Sequence, residues 1–188
     1  MKRIAKIIED LGFQNKSVKD ELIKLIEFKS YKAGEKICEF DNIPKYIYYL
    51  GKGFVRVYSL SDKGKEYNKA FTVPNEFMAS FTSLIRKEPS DSVLECLTDC
   101  EVFTFDYFKI IELEEKYPEI YKVHIKVLEY FFIKNEYENT LMATKDAKER
   151  YIDLISRLPL IENNISQYHI ASYLGITPVQ LSRIRSSL

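Results

Sequence analysis

The stretch Ile165-Ser166-Gln167-Tyr168-His169-Ile170-Ala171-Ser172-Tyr173-Leu174-Gly175-Ile176-Thr177-Pro178-Val179-Gln180-Leu181-Ser182-Arg183-Ile184-Arg185 reads as a helix, a three-residue turn and a second helix. Two short helices crossing near a right angle need a small residue where their backbones approach, and Ala171 supplies it. They need a positive φ in the turn, and Gly175 follows four residues on. Ile170, Leu174, Ile176, Leu181 and Ile184 line the inner faces, and Ser166 caps the first helix. Thr177 caps the second, with Pro178 in its first turn, where a missing N–H costs nothing. The pattern predicts a helix-turn-helix whose second helix enters a DNA major groove. Its outward residues are Val179, Gln180, Ser182, Arg183 and Ser186; Arg183 suits guanine and Gln180 adenine. Ser166, Gln167, Thr177 and Arg185 are placed for phosphates, which position a protein without reading sequence. The bland alternative is a helical hairpin packed for stability alone.

Upstream, Thr144 offers an N-cap for a helix over Lys145 to Arg157, and Pro159 marks its end. Before it, a helical run extends from Pro118 to about Leu141, with Ile120, Val123, Val127, Tyr130/Phe131, Tyr137 and Leu141 at 3-4 spacing. That length suggests a spine between domains or a seam between subunits, with an ordinary core helix as the alternative. A shorter helix, Tyr107 to about Glu115, stops before Tyr117-Pro118, because the residue before proline avoids the α region.

From Ser30 to residue 105 the texture is β: short runs rich in Val, Ile, Tyr and Phe, separated by turn residues at intervals suited to an antiparallel sandwich or barrel. Gly51-Lys52-Gly53, between Tyr46–Leu50 and Phe54–Ser59, reads as the best hairpin turn. Residues 3–28 have helical spacing in two runs, with Ser17 as a cap for the second. The fold class is therefore α+β: an antiparallel sandwich or barrel within residues 1–116 with N-terminal helices, a long helix at 117–143, and a helix-turn-helix unit at 144–188.

Composition narrows the function classes. Hydrophobic residues make up 46% of the 188 and charged residues 30%, which excludes a disordered chain. The longest apolar runs are far below the roughly 20 residues a membrane span needs. The N-terminus lacks a secretion signal's apolar core, so a cytoplasmic protein with no membrane partner is expected. Net charge is zero, which excludes a globally basic coating protein, yet residues 145–188 carry six basic and four acidic residues, a balance of +2. Cys38, Cys96 and Cys100 are an odd number and read as small buried hydrophobes. His124 and His169 have no second ligand at metal spacing, so neither a metal nor a cofactor is expected. No phosphate loop, nucleophile elbow or metal pair is present, so no catalytic residue is assigned and an enzyme is not expected.

Three segments together resemble the Crp/Fnr family of bacterial transcription regulators over nearly the whole chain: Tyr31-Lys32-Ala33-Gly34-Glu35-Lys36-Ile37 with Tyr46 to Tyr58, Ala147-Lys148-Glu149-Arg150-Tyr151, and the helix-turn-helix. The resemblance implies a cyclic-nucleotide-binding-like β-roll and a homodimer joined along the long helix. It further implies double-stranded DNA with a palindromic site as partner, and RNA polymerase beyond it. In nucleotide-binding members a Gly-Glu pair contacts the ribose and an Arg-Ser/Thr-Ala run holds the phosphate. Here the corresponding residues are Asn75, Glu76 and Phe77, then Ser90, Asp91 and Ser92, with Ser90 or Asp91 in the arginine position. A buried phosphate needs a cation or several donors, and an aspartate there adds repulsion, so cAMP and cGMP are not expected to bind tightly. Arg86 is the nearby candidate for a substitute cation. The chain ends at Leu188, directly after the second helix, which suggests fewer phosphate contacts than the family usually makes. The alternative function is a ligand-sensing or protein-interaction module whose helix-turn-helix no longer binds DNA.

Overall fold

The structure, a computed structural model, describes residues 2–188. Two short helices, α1 (Lys2–Asp10) and α2 (Lys16–Leu25), open the chain and bury Ile4, Ile7, Ile8, Val18 and Leu22. The α2 cap is Asn15, whose side chain accepts from the Ser17 N–H at 2.9 Å, rather than Ser17 itself. Eight strands follow: β1 (Ile26–Tyr31), β2 (Lys36–Cys38), β3 (Tyr46–Lys52), β4 (Val55–Leu60), β5 (Glu66–Thr72), β6 (Phe77–Met78), β7 (Val93–Cys96) and β8 (Cys100–Asp106). They form two antiparallel four-stranded sheets, ordered β1-β8-β3-β6 and β2-β7-β4-β5. Leu50, Val55, Leu94, Cys96 and Val102 fill the space between them, so the cysteines are buried and free as their apolar surroundings require.

The expected hairpin at Gly51-Lys52-Gly53 is not one: β3 and β4 belong to different sheets, and this segment carries the chain from one to the other. The glycines serve close approach instead. At Gly53, with φ +96°, a Cβ would lie 2.5 Å from Cys100 Sγ and 2.6 Å from the Asp99 carbonyl. The true hairpin joins β4 and β5 through Ser61–Lys65, closed by the Ser61 N–H donating to the Lys65 carbonyl at 2.9 Å.

A short helix, α3 (Phe81–Arg86), interrupts the strands, and α4 (Tyr107–Lys116) leaves β8 with Asp106 as its cap. Then comes α5 (Pro118–Thr144), 27 residues and about 40 Å long. It stops at Lys145, whose backbone is extended, and Asp146 starts α6 (Ala147–Arg157) through a capping box with Glu149. Thr144 is thus the last residue of α5 and not a cap. Three helices complete the chain: α7 (Ile161–Asn164), α8 (Gln167–Tyr173) and α9 (Pro178–Ser186). With α6 they share a core of Tyr151, Leu154, Ile161, Ile170, Ala171, Leu174 and Leu181 that also takes in Phe71 of β5 and Phe54, just before β4. The terminal helices are therefore seated on the β-roll as well as tethered to α5.

Candidate nucleic-acid interface and effector cavity

Helices α8 and α9 meet at a turn in which Gly175 has φ +69° and the Ile176 N–H donates to the Ala171 carbonyl at 3.0 Å. Ser166 caps α8 by accepting from the His169 N–H at 3.4 Å. Thr177 caps α9 in a reciprocal box: its hydroxyl accepts from the Gln180 N–H at 3.2 Å, and Gln180 Oε1 accepts from the Thr177 N–H at 2.8 Å. Ala171 is fully buried where the helices cross, and Leu181 pins α9 from beneath.

The outward residues stand as follows. Val179, Ser182, Arg183 and Ser186 are exposed on α9, and Arg183 makes no ion pair among the described residues. Gln180 is exposed, but its side-chain oxygen is folded onto Thr177, which withdraws it from base reading in this conformation. Ser166 and Gln167 are exposed at the start of α8, beside Thr177 as the second cap. Arg185 departs from expectation: its guanidinium binds Glu162 Oε1 at 2.9 Å, and the same oxygen accepts from the Tyr151 hydroxyl at 2.5 Å. That side chain ties α9 to α7 rather than waiting for a phosphate.

A second site lies between the β-roll and α5, a cavity of about 370 Å³ lined by Phe77, Met78, Ser80, Lys69, Asp91 and Ser92 from the β-roll and by Phe131, Lys134, Asn135, Glu138 and Asn139 from α5. Asp91 is exposed, accepts from the Ser92 hydroxyl at 2.8 Å and faces Lys69 Nζ at 3.9 Å. Ser90 is buried and spends its hydroxyl on the Ser92 carbonyl at 2.7 Å. Glu76 lies outside this cavity: Lys134 Nζ donates to it at 3.3 Å, as does the Val73 N–H. Asn75 holds φ +73°, a left-handed position where asparagine is among the better-tolerated replacements for glycine. Arg86 does not substitute as the cation, because it is exposed at the end of α3 and pairs with Glu88 at 4.0 Å. The cations at the cavity are Lys69 and Lys134, which sequence reasoning missed. The signal was the spacing Val127, Phe131, Lys134, Glu138, one inward row of α5 that turns from apolar to charged. Burial pushes the Glu138 carboxyl up, against the pull of Lys134 and Arg157.

The row expected to form the subunit seam divides: its first part packs on the β-roll, while Tyr130 and Tyr137 remain exposed. Ile120 is buried with the β-roll core, Val123 and Val127 pack on the same cluster, and Phe131 stacks on Phe81 with ring centres 4.4 Å apart. Tyr130 donates its hydroxyl to Glu76, Tyr137 donates to Asp153, and Leu141 is half-buried. Another row carries Tyr121, Ile125, Leu128 and Phe132, and continues through Asn135 and Asn139, which border the cavity, to Met142, spaced alternately four and three. Phe132 is 69% exposed and the neighbouring Ile133 66%. Because α5 is apolar on both sides over its first turns, periodicity alone did not separate the two rows.

The β-roll and the terminal helices share one more polar contact. Arg56 on β4 is almost fully buried, bound to Glu66 and Glu95 at 2.6 Å each, and donates to His169 Nδ1 at 3.3 Å. Asn68 on β5 donates its side chain to the His169 carbonyl at 2.9 Å and its backbone N–H to Ser172 Oγ at 3.2 Å. Tyr173 packs on Phe71, ring centres 5.2 Å apart.

A two-sheet β-roll with a cavity against a long helix, followed by a capped pair of helices, defines the class as a cyclic-nucleotide-binding-type domain joined to a terminal helical unit. Residues 28–117 match the cyclic nucleotide-binding domain family. Over 186 residues the chain is 22% identical to the transcriptional activator protein Anr of Pseudomonas protegens, covering 93% of this chain and 74% of that one. Among solved structures, FixK2 from Bradyrhizobium japonicum has a TM-score of 0.74 at 22% identity, covering 87% of this chain and 84% of that one. The c-di-GMP responsive global regulator CLP of Xanthomonas campestris has a TM-score of 0.71 at 14% identity, covering 92% and 91%. Together these similarities show a cyclic nucleotide-binding domain over residues 28–117 and a fold shared with these regulators over most of the chain.

Proposed function

We propose that the chain is a homodimeric, sequence-specific DNA-binding transcription regulator whose β-roll cavity takes an effector other than cAMP or cGMP. The observation that carries the reading is the state of α9: doubly capped, pinned by buried Leu181, and presenting Val179, Ser182 and an unpaired Arg183 to solvent. A rigid helix offering an uncommitted guanidinium suits bidentate contact with guanine, and the exposed caps Ser166 and Thr177 with Gln167 suit phosphates. The outer face of α5, with Phe132 and Ile133 exposed, supplies the second-copy contact. Two copies then place their α9 helices on successive major grooves.

At the cavity, Asp91 occupies the place where a phosphate wants a cation and neutralises Lys69, while Glu76 is held by Lys134. Titration calorimetry is expected to show no tight cAMP binding; low-micromolar affinity that is lost in Glu76→Ala would overturn this part. Selection on random duplexes by gel shift tests the whole. A palindromic motif should be enriched, and Arg183→Ala should relax one base position per half-site. Failure to enrich any motif, with and without cell extract, would remove the DNA reading.

A further inference from the structure

We propose that Arg56, Asn68 and His169 act as positioning residues for DNA recognition, clamping the helix pair to the β-roll by a route separate from α5. The inference rests on the DNA-binding reading above. Three observations carry it.

The first is that β5 is an edge strand, and the outward N–H of Asn68 finds its acceptor on α8, at Ser172 Oγ. An open sheet edge is a liability that proteins cover, and here the cover is the first helix of the DNA-contacting pair. The second is the placement of Arg56. Its two carboxylate partners, Glu66 and Glu95, come from the flanking strands, so the guanidinium is already neutralised within the β-roll. Its remaining donor capacity goes across the boundary to His169 Nδ1, and Asn68 Oδ1, 3.3 Å away, braces the same guanidinium nitrogen. Arg56 always donates, so His169 accepts and is held as the neutral imidazole. The third is that the clamp leaves the reading surface free: His169 and Ser172 lie on the β-roll side of α8, while Arg183 and Ser182 on α9 are exposed. Contact that covers nothing on α9 orients rather than occludes.

The physical consequence follows from symmetry. In a dimer the two α9 helices must meet half-sites one helical turn apart, and only a fixed angle between each helix pair and its α5 gives that distance. The link from α5 to α6 is short and extended at Lys145, so the angle of the pair is set by its contacts with the β-roll, the apolar ones at Phe54 and Phe71 and the directional polar ones of the clamp. Freedom lost on binding lowers affinity and blurs the preferred spacing.

The test uses the full-length protein, the palindrome recovered by selection, and versions with one or two base pairs inserted at its centre. His169→Ala is the first variant because it leaves Arg56 paired with both carboxylates; Asn68→Ala and the double variant follow. Thermal unfolding reports whether each is folded. Without DNA, exchange of the residue-68 amide is read by NMR; it is protected in the wild type and is expected to exchange roughly tenfold faster in the double variant. With DNA, the double variant should lose roughly tenfold in affinity for the native spacing while binding the shifted sites about as well as the wild type does. A protein that is merely destabilised would lose affinity equally at every spacing. An unprotected amide in the wild type would show that no clamp forms in solution, and unchanged spacing preference in variants that release the amide would overturn the positioning role. If the wild type selects no DNA at all while the amide behaves as expected, the regulator reading falls and takes the positioning role with it, leaving only the docking.

Discussion

Replacing Phe132 by serine tests the outer face of α5 directly. The side chain is 69% exposed in the single chain. A phenylalanine offers about 200 Å², so pairing would remove roughly 140 Å² per chain from water, worth about 3.5 kcal/mol at 25 cal/mol per Å². Symmetry doubles this to about 7 kcal/mol, an upper bound because a coiled seam leaves part of each ring wet. Taking half, the dimer should weaken by about 3.5 kcal/mol, or some 300-fold in Kd. Sedimentation velocity over a wide dilution series reads this as a midpoint displaced by more than two decades. Tyr130→Phe is the control, since its hydroxyl reaches Glu76 on the β-roll side of the same helix. Its dissociation curve should overlay the wild type. The assignment of the outer row fails if Phe132→Ser sediments like the wild type at every concentration, or if the Tyr130 variant is the one that falls apart.

Gly53→Ala should destabilise the β-roll by about 2 kcal/mol or more, because a Cβ would sit 2.5 Å from Cys100 Sγ on a backbone with φ +96°; denaturant unfolding checks it. Docking of α8 should weaken in acid. Burial, then the Arg56 guanidinium, hold the His169 imidazole below its ordinary range, while Glu95 and Glu66 pull the other way. The remaining neighbours, Asn68 on β5 and Tyr168 on α8, bring no charge to it near neutral pH. A lowered pKa in the docked state means the undocked imidazole takes its proton first. The stability of docking is therefore full above about 6.5 and declines as pH falls below that value, a slope His169→Ala should flatten in amide exchange. Arg183→Ala and Arg185→Ala should separate cleanly: the first changes base preference with unfolding unchanged, while the second removes the Glu162 contact and costs up to about 1 kcal/mol of fold stability.

Legibility in the sequence tracked how local each physical cause was. The helix-turn-helix was readable because its requirements fall within two dozen consecutive residues: Ala171 at the crossing, Gly175 at positive φ, Thr177 and Pro178 at the second cap. Proline likewise fixed the start of α5. What failed was long-range. Gly51-Lys52-Gly53 carries a hairpin's composition, but strand pairing is chosen by neighbours far along the chain, and β8 and β7 claimed β3 and β4 separately. Arg185 looked like a free cation because Glu162 lies on another helix. The cavity cations were hidden for the same reason: Lys69 and Lys134 come from a strand and a helix that only the tertiary fold brings together.

Helix α5 draws these causes together. A helix with one apolar face buries it and is finished; this one buries Ile120, half-buries Val123, Val127 and Phe131, and still shows Phe132 and Ile133 to water. Apolar surface of that size on the solvent side of a monomer calls for a partner. The inner row, continued, becomes Lys134 and Glu138 at the cavity, and Glu138 reaches Arg157 of α6 at 3.7 Å. One element thus borders the cavity and the terminal helical unit, and carries the exposed face proposed for a second copy. The α8 contact adds a direct attachment of that unit to the sheet, so the orientation of α9 is set from two sides, by the long helix and by the strand edge of β5.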